Sequence, residues 1–273
     1  MKKTIFSFAA ILVVSVFIGS CKKAEVDTET QSATDNATCE GEFMAIGPNT
    51  NNKAIAKGGS SGFKVSGLPI MTIDSLGIDG AIGPKTYPRI LTIDYQTGVV
   101  DAIDGKTRSG IIMITIDTNW IAPVLGFAKH ASIKFTNYIV NGAQYAADSI
   151  YITRQGNTEN FRVINGSCWN ANWHLEWSCN RTITSTIDGS GNITSVSISG
   201  NANGKNKDGV TYTVNITSPV VKSTSCQWIE SGVVEITPDG KATRTLDYSE
   251  GGGGCDNKAS LTIKGNKFVF SMN

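Results

Sequence analysis

Short runs of alternating apolar and polar residues, separated by turn residues, make up most of the chain after residue 90. The runs are rich in Ile, Val, Thr, Tyr and Phe, and pairs such as Asn141-Gly142 and Asp239-Gly240 stand between them. A period of two with such turns predicts antiparallel strands. The clearest predicted strands are residues 111–116, 132–140, 149–153, 193–199, 210–217, 232–237, 259–264 and 267–272.

Helical patterning is nearly absent, so the chain is predicted to be all-β. Because the turns are short, successive strands should be neighbours. We expect a large antiparallel sheet, curved or folded into a sandwich, over residues 39–273. This length is sufficient for a substantial core.

A weak internal repeat pairs residues 91–98 (LTIDYQTG) with residues 244–251 (RTLDYSEG). Each copy is followed by an Asp-rich connection and another apolar run, which predicts a strand, a connection and a returning strand. The repeat is either a duplication or one hairpin used twice. A duplication would give two similar halves, about 85–165 and 166–273.

The N-terminus has the composition of an export signal. Two lysines precede an uncharged apolar run, which is too short to span a membrane comfortably, and Ile18-Gly19-Ser20 leads to Cys21. This segment resembles the lipobox of bacterial lipoproteins, which implies a signal peptide over 1–20 and lipid on Cys21. An ordinary secretory signal is the alternative. Residues 21–38 contain no aromatic residue and are expected to form a disordered, flexible tether.

Several segments together resemble a group of uncharacterised all-β lipoproteins of Bacteroidetes bacteria. They include DGKTRSG at 104–110, FTNYIVNG at 135–142, YTVNIT at 212–217 and GCDNKA at 254–259, within a resemblance that covers most of residues 91–273. The resemblance implies an exported all-β lipoprotein. It implies no activity and no catalytic residues.

Five cysteines remain if Cys21 carries lipid, and in an oxidising compartment they are expected to pair, with one left over or paired between chains. A hairpin turning at Asp239-Gly240 would set Cys226 opposite Gly253. A bulge in the glycine run 251–254 would absorb the offset to Cys255, so we predict the disulfide Cys226–Cys255. The pairing of Cys39, Cys168 and Cys179 stays open, since Cys168 and Cys179 could join only through a hairpin between them.

Three tryptophans between those cysteines suggest a surface for ligands. In one continuous strand, Trp169, Trp173 and Trp177 would share a face, with His174 and Glu176 opposite. Exposed, they could stack on sugar rings or lipid chains. The alternative, which is the more common use of such a face, is that they belong to the core.

The sequence contains few motifs that indicate catalysis or ligand binding. The two histidines, His130 and His174, lie in separate segments, and we find no nucleophile motif or zinc-ligand spacing. No catalytic residue, metal or cofactor is therefore predicted. Lysine and arginine number 24 against 23 acidic residues, which gives no basic field for nucleic acid. Two triplets of the form Asp-Ser-apolar make Ser75 and Ser149 candidates for O-glycosylation.

The sequence thus predicts a lipid-anchored protein of the outer membrane, facing the periplasm or the exterior. Its partners would be the membrane, through the lipid on Cys21, and a glycan or lipid ligand. A non-enzymatic binding or structural module is favoured. A glycan-active enzyme would need a deep groove with two close carboxylates, and a lipid-carrying open sheet would need an apolar channel.

Overall fold

The computed structural model describes residues 27, 29–56, 69–74, 88–101, 105–117, 129–190, 192–226, 228–250 and 252–272; the predicted signal peptide, Cys21 and Ser75 lie outside them. Within these residues the protein has one helix, α1 (Gln31–Ala56), and fifteen strands. The strands are β1 (Ile70–Asp74), β2 (Arg89–Asp94), β3 (Val99–Val100), β4 (Thr107–Ile116), β5 (Lys129–Val140), β6 (Ala143–Ala146), β7 (Ser149–Gln155), β8 (Thr158–Trp169), β9 (His174–Ile187), β10 (Ile193–Lys205), β11 (Thr211–Ser223), β12 (Ser231–Pro238), β13 (Arg244–Asp247), β14 (Lys258–Ile263) and β15 (Asn266–Ser271).

All fifteen strands belong to one sheet, in the order β1-β2-β4-β5-β6-β8-β9-β10-β11-β12-β13-β14-β15, with β3 paired to β4 and β7 to β5 and β8. Every pairing is antiparallel. The predicted all-β class and the large antiparallel sheet are confirmed, and each predicted strand falls in or overlaps a strand of the structure.

Bulges bend the long strands. The register shifts between Ser109 and Ile111 in β4, and again between Ile198 and Gly200 in β10. Gly110 and Gly200 have φ values of +85° and +110°, where an L side chain would be strained. Since a bulge inserts an unpaired residue and increases local twist, these positions curve the sheet.

The curved sheet surrounds much of α1. Residues of a helix are separated by about 100° around its axis, so Glu40 and Glu42 point about 160° apart. Both nevertheless form ion pairs with arginines of the sheet. Glu40 pairs with Arg181 on β9, and Glu42 pairs with Arg108 on β4. The helix therefore lies in a concave face, where Phe43 packs between Phe135, Tyr145 and Trp177 at ring-centroid distances of 5.5–6.0 Å.

The helix corrects the prediction that the tether extends to residue 38, because it begins at Gln31. Its buried side recurs with helical spacing but is mostly polar, which hides it from a search for hydrophobic periodicity. Gly41, Gly47 and Pro48 also weaken the local helical signal. The buried residues are Ser32, Asp35, Asn36, Cys39, Glu42, Phe43 and Ile46.

The internal repeat has equivalent structures. In the first copy β2 pairs with β4, and in the second β13 pairs with β14, as the predicted strand and returning strand. Asp94 accepts a hydrogen bond from the amide of Gln96 at 2.7 Å, and Asp247 accepts one from the amide of Ser249 at 2.8 Å. The chain is not divided at residue 165, however, because β8 crosses that boundary and pairs with strands on both sides.

Candidate functional site

Three arginines project from the sheet into the concave face. They are Arg108 on β4, Arg181 on β9 and Arg244 on β13, and each is at most 1% exposed. A buried charge must be paired to be tolerated. All three pair with carboxylates of one segment, residues 27–42, which we call the acidic segment: Asp27, Glu29, Glu40 and Glu42.

Arg108 is at the centre of the most extensive of these clusters. Its Nη2 lies 3.1 Å from both carboxylate oxygens of Glu42, and its Nη1 lies 3.4 Å from Asp101 Oδ2. Tyr138 donates its hydroxyl to Glu42 at 2.7 Å, and Lys106 Nζ approaches the other oxygen at 3.0 Å. The carboxylates of Glu42 and Asp101 thus lie beside the cations of Arg108 and Lys106. Burial, together with Glu42, raises the pKa of Tyr138, so its hydroxyl remains a donor.

Arg181 and Arg244 hold earlier residues of the acidic segment. Arg181 Nε donates to Glu40 Oε1 at 2.8 Å, while its Nη1 and Nη2 have no hydrogen-bond partner among the described residues. Arg244 Nη2 lies 2.5 Å from Asp27 Oδ1, and its Nε donates to the carbonyl of Glu29 at 2.9 Å. Although burial works to raise the pKa of Asp27, hydrogen bonds from Ala242 and Arg244 lower it overall.

Hydrogen bonds from neutral donors complete the attachment of α1. Asn206 donates to Ser32 at 3.1 Å, and the amide of Lys207 donates to Asp35 at 3.0 Å. Trp177 Nε1 donates to Asn36 Oδ1 at 2.9 Å, between groups that are both buried. At the start of the helix, Glu29 Oε1 accepts the amide of Ser32 at 2.7 Å, where a negative charge also complements the helix dipole.

The predicted tryptophan face is not formed, since the segment is not one strand. β8 ends at Trp169, residues 170–173 turn, and β9 begins at His174. Trp169 is paired with His174 on the sheet face away from α1, and their rings lie 6.1 Å apart. Trp173 is partly buried against the core and Trp177 is 1% exposed. For Trp177 the core interpretation is confirmed.

The disulfide Cys226–Cys255 is confirmed, with a Cα–Cα distance of 5.6 Å. The positions of the two cysteines relative to the strands differ from the prediction. Cys226 follows β11 and lies outside β12, and Ile236 pairs with Arg244, one residue away from the expected register. The bond therefore joins the β11–β12 connection to the β13–β14 connection.

The other three cysteines are buried thiols. The Sγ atoms of Cys39 on α1 and Cys168 on β8 are 3.5 Å apart. In the register of β8 and β9, Val163 lies opposite Cys179 and Cys168 lies opposite Leu175. Leu175 is four positions before Cys179 on β9. That offset is about 13 Å at 3.3 Å per residue, so a bond between Cys168 and Cys179 is excluded although the hairpin between them exists.

A cleft of about 780 Å³ opens on the outer face of the sheet, opposite α1. It crosses β8 to β12 near the β12–β13 turn, and its outward side chains are hydroxyl, amide and charged groups. Glu176 stands directly opposite Lys205 on the neighbouring strand. These outward side chains offer many hydrogen-bond donors and acceptors, which suits a polar ligand. The outward side chains include Ser167, His174, Glu176, Ser178, Asn203, Lys205, Thr211, Thr213, Thr237 and Asp239.

The carboxylates of this cleft are widely separated. Glu176 and Asp239 lie in the same row across β9, β10, β11 and β12, with Lys205 and Thr211 between them. Three strand spacings of about 4.8 Å place their Cα atoms roughly 14 Å apart. Glycoside hydrolysis uses carboxyl groups about 5–9.5 Å apart, so this pair would meet the requirement only if both side chains extended towards each other across Lys205 and Thr211.

The remaining predicted site residues are dispersed. Ser149 is half-buried at the start of β7, and its Oγ accepts the Tyr151 hydroxyl at 3.3 Å. His130 contacts Thr153 at 3.2 Å, away from His174. In the described residues no group of three or more acidic, histidine or cysteine side chains could hold a metal ion. Among the described residues, no helix is both long and apolar enough to cross a membrane.

The sequence contains a signal for the pairing of the acidic segment with the sheet, although no role for these carboxylates is among the predictions above. Arg181 follows Leu175, Trp177 and Cys179 on the inward face of β9. An isolated arginine at an inward strand position requires a buried anion. The acidic residues before the sheet are the corresponding partners. Comparison of the chain with protein-family models, with curated proteins and with solved structures gave no match.

Proposed function

We propose that this is a lipid-anchored protein of the cell envelope, held at the outer membrane through lipid on Cys21, and that it acts as a non-enzymatic binding or structural module. The apolar run that ends at Cys21 supports the anchor, and the position of the acidic segment supports a short connection between that anchor and the sheet. Asp27 is fixed to Arg244, only six residues after the lipobox cysteine. Few residues therefore separate the proposed anchor from the folded sheet.

The short connection restricts how the sheet stands on the membrane. From the Cα atom of Cys21 to that of Asp27 the chain can extend at most about 21 Å. Asp27 accepts the amide of Ala242, in the connection between β12 and β13. We infer that this end of the sheet faces the lipid surface, whether the protein faces the periplasm or the exterior.

Removal of the anchor cysteine should release the protein from the membrane. With Cys21→Ser, we expect loss of fatty-acid labelling and transfer of most of the protein from the membrane fraction to the soluble fraction, because burial of acyl chains contributes about 0.8 kcal/mol per CH₂. The measurement is intact mass and fractionation of the protein from its native envelope. Cys179→Ala, which removes a cysteine of the sheet, should remain lipidated and membrane-bound. A native protein without added lipid mass would contradict the proposal.

The outer cleft is the surface that we assign to ligand binding. Its polar side chains and its volume suit an oligosaccharide better than a lipid chain. The row spacing of Glu176 and Asp239 favours binding over hydrolysis. A lipid-carrying function is less well supported, because α1 occupies the concave face where an apolar channel would lie.

Glycan binding can be tested at one carboxylate. Tryptophan fluorescence is followed while neutral and anionic oligosaccharides are titrated, with and without a quencher. Glu176→Gln should weaken binding of a responsive oligosaccharide about tenfold, because a charge-assisted hydrogen bond contributes about 1.5–3 kcal/mol. The control is Glu235→Gln on β12, which lies outside the cleft lining. Equal effects of the two variants, or hydrolysis of the sugar, would contradict this assignment.

A further inference from the structure

We propose that Cys39 and Cys168 form a disulfide in the exported protein and so attach α1 covalently to β8. The two Sγ atoms are 3.5 Å apart, and both residues are fully buried. A disulfide has an S–S distance of about 2.05 Å, so each sulfur needs to move by less than 1 Å. Rotation about the Cα–Cβ bonds moves a sulfur by about this distance, and the bond further requires a Cα–Cα distance of about 4.4–6.8 Å.

The chain already contains a disulfide, Cys226–Cys255, which is typical of proteins that fold in an oxidising compartment. The reaction requires an electron acceptor, and we assign this to the disulfide of a thiol–disulfide oxidoreductase. One thiolate attacks that disulfide, and the second thiolate displaces the oxidoreductase from the mixed disulfide. Two protons and two electrons leave the protein, and the oxidoreductase departs as a dithiol.

The environment of Cys39 indicates when the bond forms. Its hydrogen bond with Cys168, together with burial, raises the pKa of the Cys39 thiol. The thiolate is the reactive species, so the folded, reduced protein would exchange slowly. The bond should therefore form before α1 is fully buried, while both cysteines are still accessible to the oxidoreductase.

Cys179 is the unpaired cysteine in this arrangement. It lies on the inward face of β9, too far along the strand for a bond with Cys168. Burial raises its pKa to about 12, which keeps it a thiol. The five cysteines after Cys21 then resolve into two bonds and one buried thiol.

The bond would have a consequence for function. α1 fills the concave face, and a covalent link at Cys39 would prevent the helix from leaving it. The helix would then be a permanent part of the fold, and ligands would have access to the outer cleft only. A movable helix, which lipid carriage in the concave face would require, is incompatible with this bond.

Peptide mapping tests the pairing directly. Full-length protein from the native envelope is denatured without reductant, alkylated and digested. We expect linked peptides containing Cys39 and Cys168, linked peptides containing Cys226 and Cys255, and alkylation of Cys179. Alkylated Cys39 and Cys168 beside an intact Cys226–Cys255 bond would overturn this proposal alone. Alkylation of all five cysteines after Cys21 would overturn it together with the oxidising location, and a bond to Cys179 would overturn it as well.

Matched variants give a second measurement that does not depend on mapping. Cys168→Ala and Cys179→Ala each remove one buried thiol on adjacent strands, but only the first would remove a cross-link. Without reductant we expect Cys168→Ala to lower the unfolding midpoint by roughly 10 °C more than Cys179→Ala. With reductant the difference should nearly disappear. Equal shifts of the two variants under both conditions would contradict the bond.

Discussion

Arg108→Met is expected to lower the free energy of unfolding by about 3–5 kcal/mol. The substitution keeps most of the apolar side-chain volume but leaves Glu42 and Asp101 buried without their principal cation. Both carboxylates are at most 3% exposed, so water cannot compensate for the loss. The measurement is equilibrium denaturation with urea, followed by tryptophan fluorescence and circular dichroism.

A partly exposed ion pair provides the control for Arg108. Arg154 and Glu159 lie 3.5 Å apart with about a quarter of each side chain exposed. Arg154→Met should cost about 1–2 kcal/mol, less than Arg108→Met, because about a quarter of each side chain contacts water, although burial raises the pKa of Glu159. Glu42→Gln added to Arg108→Met should recover part of the loss by removing one of the buried charges. If Arg108→Met and Arg154→Met cost the same, the buried cluster does not hold the acidic segment as described.

Gly110→Ala should destabilise the sheet at its bulge between β4 and β5. A Cβ at this position would lie 2.0 Å from the carbonyl oxygen of Asn137, which belongs to the backbone and cannot rotate away. The φ value of +85° adds strain for any L residue. Together we expect a loss of at least about 3 kcal/mol in the free energy of unfolding.

Gly240→Ala separates the contribution of backbone conformation from that of the close contact. Gly240 has φ +68° in the β12–β13 turn, and a Cβ there would meet nothing within 4 Å. We expect a cost of about 1–2 kcal/mol, from backbone conformation alone. Both variants are measured by urea denaturation. A cost for Gly110→Ala no greater than that for Gly240→Ala would mean that the bulge accommodates the methyl group and does not fix the curvature.

Both predictions concern the same property of the molecule, the fit between the curved sheet and the acidic segment. The bulges set how far the strands bend towards the helix. The arginines then bind carboxylates that project from the helix in nearly opposite directions. Because removal of either feature leaves buried groups unsatisfied or overlapping, we expect large effects from single substitutions.

The sequence by itself determined the strands and most of the turns. Period-two alternation and Asn-Gly or Asp-Gly pairs are local signals, and each is produced by the geometry of two adjacent strands. The same local reasoning placed the repeat on β2 and β13 and brought Cys226 and Cys255 together. The local reasoning was wrong for a turn that lacks glycine. Residues 170–173, Asn-Ala-Asn-Trp, separate β8 from β9, although the apolar alternation continues through them.

Only the tertiary structure decided what fills the concave face. α1 has a buried side made largely of Ser, Asp, Asn, Cys and Glu, which is favourable solely because Arg108, Trp177, Asn206 and their neighbours supply partners from distant strands. Local pattern cannot indicate such partners, because they lie about 65 to 175 residues away along the chain. For the same reason the 3.5 Å approach of Cys39 and Cys168 arises from the docking of the helix, which brings two distant positions to one place inside the sheet.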